Sequence, residues 1–243
     1  MLLATIALLF LLPAVGTAAW WVTLERPSSW RTADWSASGV LPAPGEIDGP
    51  AIFLMAARTG GMKGAFSVHC WIVIKREDGA GYDRYDKVGW GRPVRKNSYE
   101  PDGRWYSNKP VIIAAVSGRE ATGLVAKAEA AIDAYPYRDY GDYTIWPGPN
   151  SNSFVAHVIK AVPQMGAQLP PNAVGRDFAP GLLSFNIAED WQDIHATFGG
   201  LIGFAAGVRS GLEFHFFGLV AGLDFARPAV KIPAYGRVPL WSS

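Results

Sequence analysis

Cysteine is almost missing from this chain. Cys70 is the only one in 243 residues, which excludes an internal disulfide and any cysteine-cluster metal site. Charge is also sparse: 18% of residues are charged and the formal net charge is +1, so no global field favours nucleic acid, and none is expected as a partner. There is no Gly-x-Ser-x-Gly elbow, and Gly148-Pro149-Asn150 lacks the Gly pattern and Lys-Ser/Thr pair of a phosphate loop. His157, His195 and His215 show no metal-ligand spacing and read as structural, so neither a metal nor a cofactor is implied. No internal repeat is visible.

Hydrophobic residues are abundant. They make up 49% of the chain, with ten tryptophans, which is the composition of a globular protein rather than a disordered one. At this length one sizeable domain with appendages forms its core without a disulfide or metal.

The first 24 residues contain no charged side chain. About 20 apolar residues suffice to span a bilayer. Trp20-Trp21 followed by Arg26 suits the interfacial end of an uncleaved anchor. Gly16-Thr17-Ala18-Ala19 would equally serve as the exit of a removed leader, and a buried helix of a soluble protein is the third reading. Either export reading places the body on the periplasmic or extracytoplasmic side, secreted if the leader is cut. Residues 197 to 225 are apolar too, but Arg209, Glu213, His215 and Asp224 interrupt them at a high cost in hydrocarbon.

Residues 25 to 50, rich in Pro, Ser, Gly and Ala, read as a tether. The spacing then predicts strands over 51–58 and 65–75 around a Thr59-Gly60-Gly61 turn, a third over 81–87, and a central fourth over 111–118 that is apolar on both faces. Ser117 and Glu120 have capping-box spacing before a helix running to Ala134. Leu124, Ala128, Ala131, Ile132 and Tyr135 form its buried face. The core is expected over 51–180, and a β-rich extension over 181–243 follows from the alternation around Phe214 to Phe217. The fold class is α+β, with an antiparallel sheet packed against a core helix.

Trp146 to Val162, WPGPNSNSFVAHVIKAV, is a helix entrance with four consecutive small polar residues. Asn150 or Ser151 as N-cap accounts for one of them. A helix N-terminus also presents free N–H groups and partial positive charge, which stabilise an oxyanion. On the strand at 65–75, His69 shares a face with Trp71 and Val73, whereas Cys70 points away with Ile72 and Ile74. Cys70 is therefore no partner for His69. A lone histidine on an apolar strand is ordinarily a satisfied core residue, so His69 gains interest only through the helix entrance. The aromatic and basic residues between Tyr82 and Lys109 suit either a solvated meander or a surface for cell-wall glycan, peptide or lipid head groups.

His69-Cys70-Trp71 followed by Asn150-Ser151-Asn152-Ser153-Phe154-Val155 resembles the circularly permuted branch of the papain-like superfamily, which includes the NlpC-related peptidases and the lecithin-retinol acyltransferase-like proteins. In the acyltransferase-like members a His and a Trp two residues later lie on an early strand, and Asn-Cys-x-x-Phe-Val opens the core helix. The PGPNSNSFV string and its setting are also similar to an uncharacterised bacterial family, domain of unknown function 3750, whose members carry an N-terminal membrane segment. The resemblance implies a permuted papain-like body on a membrane segment formed by residues 1–24. It implies hydrolysis or transfer at an amide or ester bond; the outer location suits a cell-wall or lipid substrate. Ser151 would be the nucleophile, His69 its base and Asp83 or Tyr85 the group orienting the imidazole. The backbone at Asn152 and Ser153 would be the oxyanion donor, Asn150 and Trp71 would line the cleft, and Ser153 is the second candidate nucleophile. Ser151 stands where that superfamily has cysteine. A serine hydroxyl is too weak an acid to be activated by a helix terminus alone and needs a general base. The alternative is a catalytically silent scaffold that binds through the same cleft.

Overall fold

The computed structural model describes residues 1–188 and 191–241, and its described strands form two antiparallel sheets. Helical structure over Leu2–Ile6, Ala7–Leu11 and Leu12–Val22, together α1, precedes them. The first sheet contains β1 (Ala51–Arg58), β2 (Val68–Lys75), β3 (Asp83–Lys87), β4 (Val94–Lys96) and β5 (Val111–Ser117), ordered β4-β3-β2-β1-β5. The fold is therefore α+β. The strands expected over 51–58 and within 65–75 pair antiparallel, with Ala57 opposite His69. β5 takes an edge instead of the expected centre: it pairs only with β1, across a bulge at Leu54/Met55. Among the described residues no strand covers its far side, so Val111 and Ile112 stay exposed.

Both faces of β1 and β2 are covered, which is why these strands are continuously apolar. On one face Ile52, Leu54, Cys70 and Ile72 meet α2 (Leu124–Asp133) and α3 (Ser151–Ala161). Leu124, Ala128, Ala131 and Ile132 form the buried side of α2. Its expected start at Ser117 is displaced. Ser117 makes no cap hydrogen bond, a short 3-10 turn spans Gly118–Ala121, and left-handed Gly123 separates that turn from the helix. Phe154, Val155 and Val158 anchor α3, each contributing roughly 1.5–3 kcal/mol of apolar burial.

The other face carries Phe53, Met55, Trp71 and Val73. Instead of trailing free as a tether, the segment 25–50 covers part of this face: Trp35 packs edge-on against Trp105 at 5.1 Å, and Val40, Leu41 and Ile47 join the cluster. The apolar residues among its prolines and glycines supply the contact. The Tyr82–Lys109 stretch also turns inward, with Arg84 and Lys87 fully buried and Trp105 nearly so.

The second sheet is a meander of β6 (Leu183–Ile187), β7 (Asp193–Phe198), β8 (Ile202–Gly207), β9 (Gly211–Phe216), β10 (Leu219–Asp224), β11 (Ala229–Ile232) and β12 (Gly236–Pro239). Its alternation is inverted relative to an ordinary surface sheet. One face presents the cross-strand rows Leu183, Phe198, Ile202, Phe216, Leu219 and Phe185, Ala196, Phe204, Phe214, Ala221. Leu183 is 74% exposed, Phe185 61% and Phe214 53%. The opposite face carries His195, Glu213, His215 and Lys231, of which the last three are buried. α1 lies against this sheet through Phe10 on Phe216 at 5.5 Å. At its other end the Trp21 indole donates to the Gly61 carbonyl at 2.9 Å. Residues Leu3–Val22 are long and apolar enough to cross a membrane by length and composition.

Candidate functional site

One end of the first sheet gathers the candidate residues. Asn150 is the N-cap of α3: its Oδ1 accepts from the N–H groups of Asn152 (2.9 Å) and Ser153 (3.1 Å). The Ser153 hydroxyl completes the capping box, accepting from Asn150 N–H at 2.8 Å and donating to Asn150 O at 2.9 Å. Asn150 Nδ2 donates to the carbonyls of Ile145 and Val174. This is possible because residue 175 is glycine: a Cβ there would stand 2.1 Å from Asn150 Nδ2. Two of the four polar residues are thus spent on capping. The expected oxyanion donors, the N–H groups of Asn152 and Ser153, are occupied by the same cap.

Asn152 has a different task. Its Oδ1 accepts from Cys70 N–H at 3.2 Å, and its Nδ2 donates to Val68 O at 3.0 Å and Val174 O at 2.9 Å. The residue after Ser151 therefore clamps the backbone on both sides of His69. Ser151 itself is buried at the first turn of α3. Its hydroxyl and N–H engage the Tyr143 phenol, whose pKa burial pushes up against those hydrogen bonds. Gly89, at the end of β3, leaves room for the Tyr143 ring, which a Cβ would meet at 2.9 Å.

His69 projects from the opposite face of β2 and is 3% exposed. Its Nε2 lies 2.8 Å from Asp86 Oδ1. Asp86 also accepts from Arg84 Nε at 2.7 Å and Nη2 at 2.9 Å. Burial alone would raise the Asp86 carboxyl, but Arg84 and His69 outweigh it and hold it below the usual carboxylate range. Burial also pushes the His69 imidazole below its ordinary value, against Asp86. A neutral ring facing an ionised carboxylate must donate Nε2–H to it, which leaves the lone pair on Nδ1. The ring stacks on Trp105 at 3.8 Å with 7° between planes. Arg84 Cζ lies 4.0 Å from the Trp71 ring centroid, and Arg84 Nη1 donates to Glu100 O at 2.7 Å.

Several expected roles are redistributed. Asp83 is not beside His69: it sits on the helix-side face of β3, paired with Arg76, Lys96 and Asn97. Register decides this, since Asp83 and Asp86 differ by an odd number of residues and a strand alternates faces. Tyr85 shares that helix-side face with Asp83 and packs into the core there. Trp71 is fully buried, donating to Pro101 O at 2.9 Å, and is a floor rather than a cleft wall. Cys70 faces the helices, with a thiol that burial pushes up. No hydrogen bond joins His69 to Ser151 among the described residues. Tyr143 had no sequence signal; it lies in a tyrosine-rich connector where nothing singles it out.

A second polar cluster lies on the inner face of the second sheet. Asp177 Oδ1 is 3.0 Å from His195 Nε2, and Asp177 Oδ2 is 3.0 Å from His215 Nδ1. His215 Nε2 is 3.1 Å from Glu213 Oε2, and Glu213 pairs with Arg176 and Lys231. Burial opposes ionisation of Glu213, but Arg176, His215 and Lys231 hold its pKa at about 2. Asp177, His195 and His215 have the chemistry to hold a metal ion. Sequence spacing hid them, because β8 separates the two histidine strands and Asp177 comes from a loop before the sheet.

This is an α+β protein whose helix entrance is clamped to a histidine strand, with a buried His-Asp-Arg network beneath. Residues 50–178 match the profile of a family described as "Protein of unknown function (DUF3750)". That match covers more than half of the chain, which belongs to this family. No curated protein matches the sequence, and no solved structure matches it.

Proposed function

We propose that the protein is a membrane-attached acyl-transfer enzyme, a hydrolase or acyltransferase acting on an amide or ester, on a permuted papain-like body outside the cytoplasm. The observation that supports the reading is the Asn152 clamp: the residue after Ser151 bonds Val68 O and Cys70 N–H on either side of His69, whose imidazole meets Asp86. His69 and α3 lie on opposite faces of β2, so the step requires the two side chains to meet around the strand end: Ser151 Oγ would then attack the carbonyl carbon as His69 Nδ1 took its proton, and collapse would expel the amine or alcohol with that proton. Water or an acceptor alcohol then releases the acyl group by the reverse sequence. The Tyr143 phenol, whose pKa burial raises and which engages Ser151, would supply a hydrogen bond to the developing oxyanion.

A second reading, a binding scaffold without catalysis, is favoured by the Ser151–Tyr143 contact and by the absence of a bond from Ser151 to His69. A fluorophosphonate probe separates the two. Labelling is expected in the full chain and lost in Ser151→Ala and His69→Ala, while Ser153→Ala keeps it. A chain that is folded and unlabelled, yet retains cell-wall fragments or lipid, identifies the scaffold.

The membrane part of the proposal rests on α1 together with the apolar face of the second sheet. Hydrocarbon around α1 would meet that face where Phe10 joins Phe216, and an exposed contiguous apolar surface marks an interaction site. In vesicles, a polarity-sensitive dye at Phe204→Cys is expected to shift to the blue and to be quenched by brominated acyl chains. The same dye at exposed Arg92→Cys should do neither. Absence of the shift, with 204-to-204 cross-linking instead, would mean that a second copy covers the face.

A further inference from the structure

We propose that Asp177, His195 and His215 form a mononuclear zinc site with one coordination position open to the neighbouring cavity and suited to an anionic oxygen ligand. The site shares no residue with the Ser151 and His69 centre. Its donor atoms all lie within 4.8 Å of one another. Zinc binds imidazole nitrogen and carboxylate oxygen at about 2.0–2.2 Å, so two donors on one ion stand roughly 3–4 Å apart. The two Asp177–histidine separations of 3.0 Å, one to each carboxylate oxygen, already fall in that range, and the histidine pair, within 4.8 Å, is the separation zinc would have to draw in.

His215 gives an independent indication. Its side chain is 3% exposed, and its Nδ1 is buried without a hydrogen-bond partner. Asp177 Oδ2 is 3.0 Å away, yet the pair lacks the alignment that an N–H donor needs. On the far side of the ring, Glu213 Oε2 lies 3.1 Å from Nε2. Without a metal the ring sits between two carboxylates, Glu213 at Nε2 and Asp177 at Nδ1; with Glu213 holding a proton on Nε2, zinc would displace the one on Nδ1 and take that lone pair. That is how an outer carboxylate orients a metal-binding histidine. Arg176 and Lys231 in turn anchor Glu213.

The charge count names the ligand. Asp177, Glu213 and Asp193 balance Arg176, Lys231 and Arg209, so a divalent ion leaves the pocket cationic. His195, 31% exposed, opens the cluster to a cavity of about 740 Å³ that Lys160 also lines. An anionic oxygen donor such as a carboxylate or phosphate therefore fits the fourth position.

The test is calorimetric titration of zinc chloride into the full chain in detergent micelles, with cobalt absorption as a second readout. One ion per chain and tetrahedral cobalt bands are expected. His195→Ala, which changes a partly exposed side chain, should weaken zinc more than tenfold, and Glu213→Gln by about tenfold; His157→Ala should leave it unchanged. Absence of saturable one-per-chain binding, or wild-type affinity in a folded His195→Ala chain, would overturn the assignment.

Discussion

Asp86→Ala is expected to lose about 3–5 kcal/mol of stability, the cost of leaving one partner of a buried ionic network uncompensated. Arg84 is completely buried and would keep only its bond to Glu100 O, and the His69 Nε2–H would have no acceptor. For a chain of this size each kcal/mol moves the midpoint by about 2–4 °C, so a fall on the order of 10 °C should appear in thermal unfolding of the full chain in micelles. A loss below about 1 kcal/mol would show that the network is not what holds β2 and β3 together at this end. The pH dependence has a definite sign. Asp86 is depressed in the folded state, so its contribution is complete above the ordinary carboxylate value and is lost as pH falls below it. His69 is also depressed, so its contribution is complete above about 6.5 and declines as pH falls through the folded value. The stability difference between wild type and Asp86→Asn should therefore shrink with acidification, since protonation removes the charge that distinguishes them.

Asn152→Ala should cost about 3 kcal/mol or more, although its neighbour Ser151→Ala should cost less than about 1 kcal/mol. The side chain of Asn152 satisfies Cys70 N–H, Val68 O and Val174 O, and each buried backbone group left unpaired is penalised by roughly 1–3 kcal/mol. Ser151 gives up its contact with Tyr143 and leaves no buried backbone group of β2 unpaired. Urea unfolding of both variants measures the contrast. Fluorophosphonate labelling of Asn152→Ala under folding conditions should also fall, because α3 is then no longer fixed against the His69 strand. Equal stability losses in the two variants would remove the distinction between a residue that positions and one that reacts.

Much of the first sheet was legible from pattern alone. The apolar runs at 51–58 and 65–75 have no polar face to offer solvent, so they had to be buried strands. Asn150 and Ser151, either of them a cap, followed by an apolar 3.6-residue period announced α3, and the structure caps it with Asn150. The inward turn of Arg84 and Lys87 was not legible, because a basic side chain normally reads as exposed. Here Arg84 is neutralised by Asp86 and stacked on Trp71, and Lys87 donates to the Tyr137 and Asp142 carbonyls. The second sheet was legible as alternation around Phe214, but alternation does not state which face meets water.

The sequence by itself determined the α+β class, the pairing of β1 with β2, a helix cap at Asn150 or Ser151 and the apolar helix at the N-terminus, because each depends on neighbours a few residues apart. Only the tertiary structure decided that Asp86 rather than Asp83 orients His69, that Asn152 joins α3 to β2, and that Asp177, His195 and His215 meet. Those are contacts between elements far apart in the chain, set by strand register and by how the layers pack, and no local period encodes them.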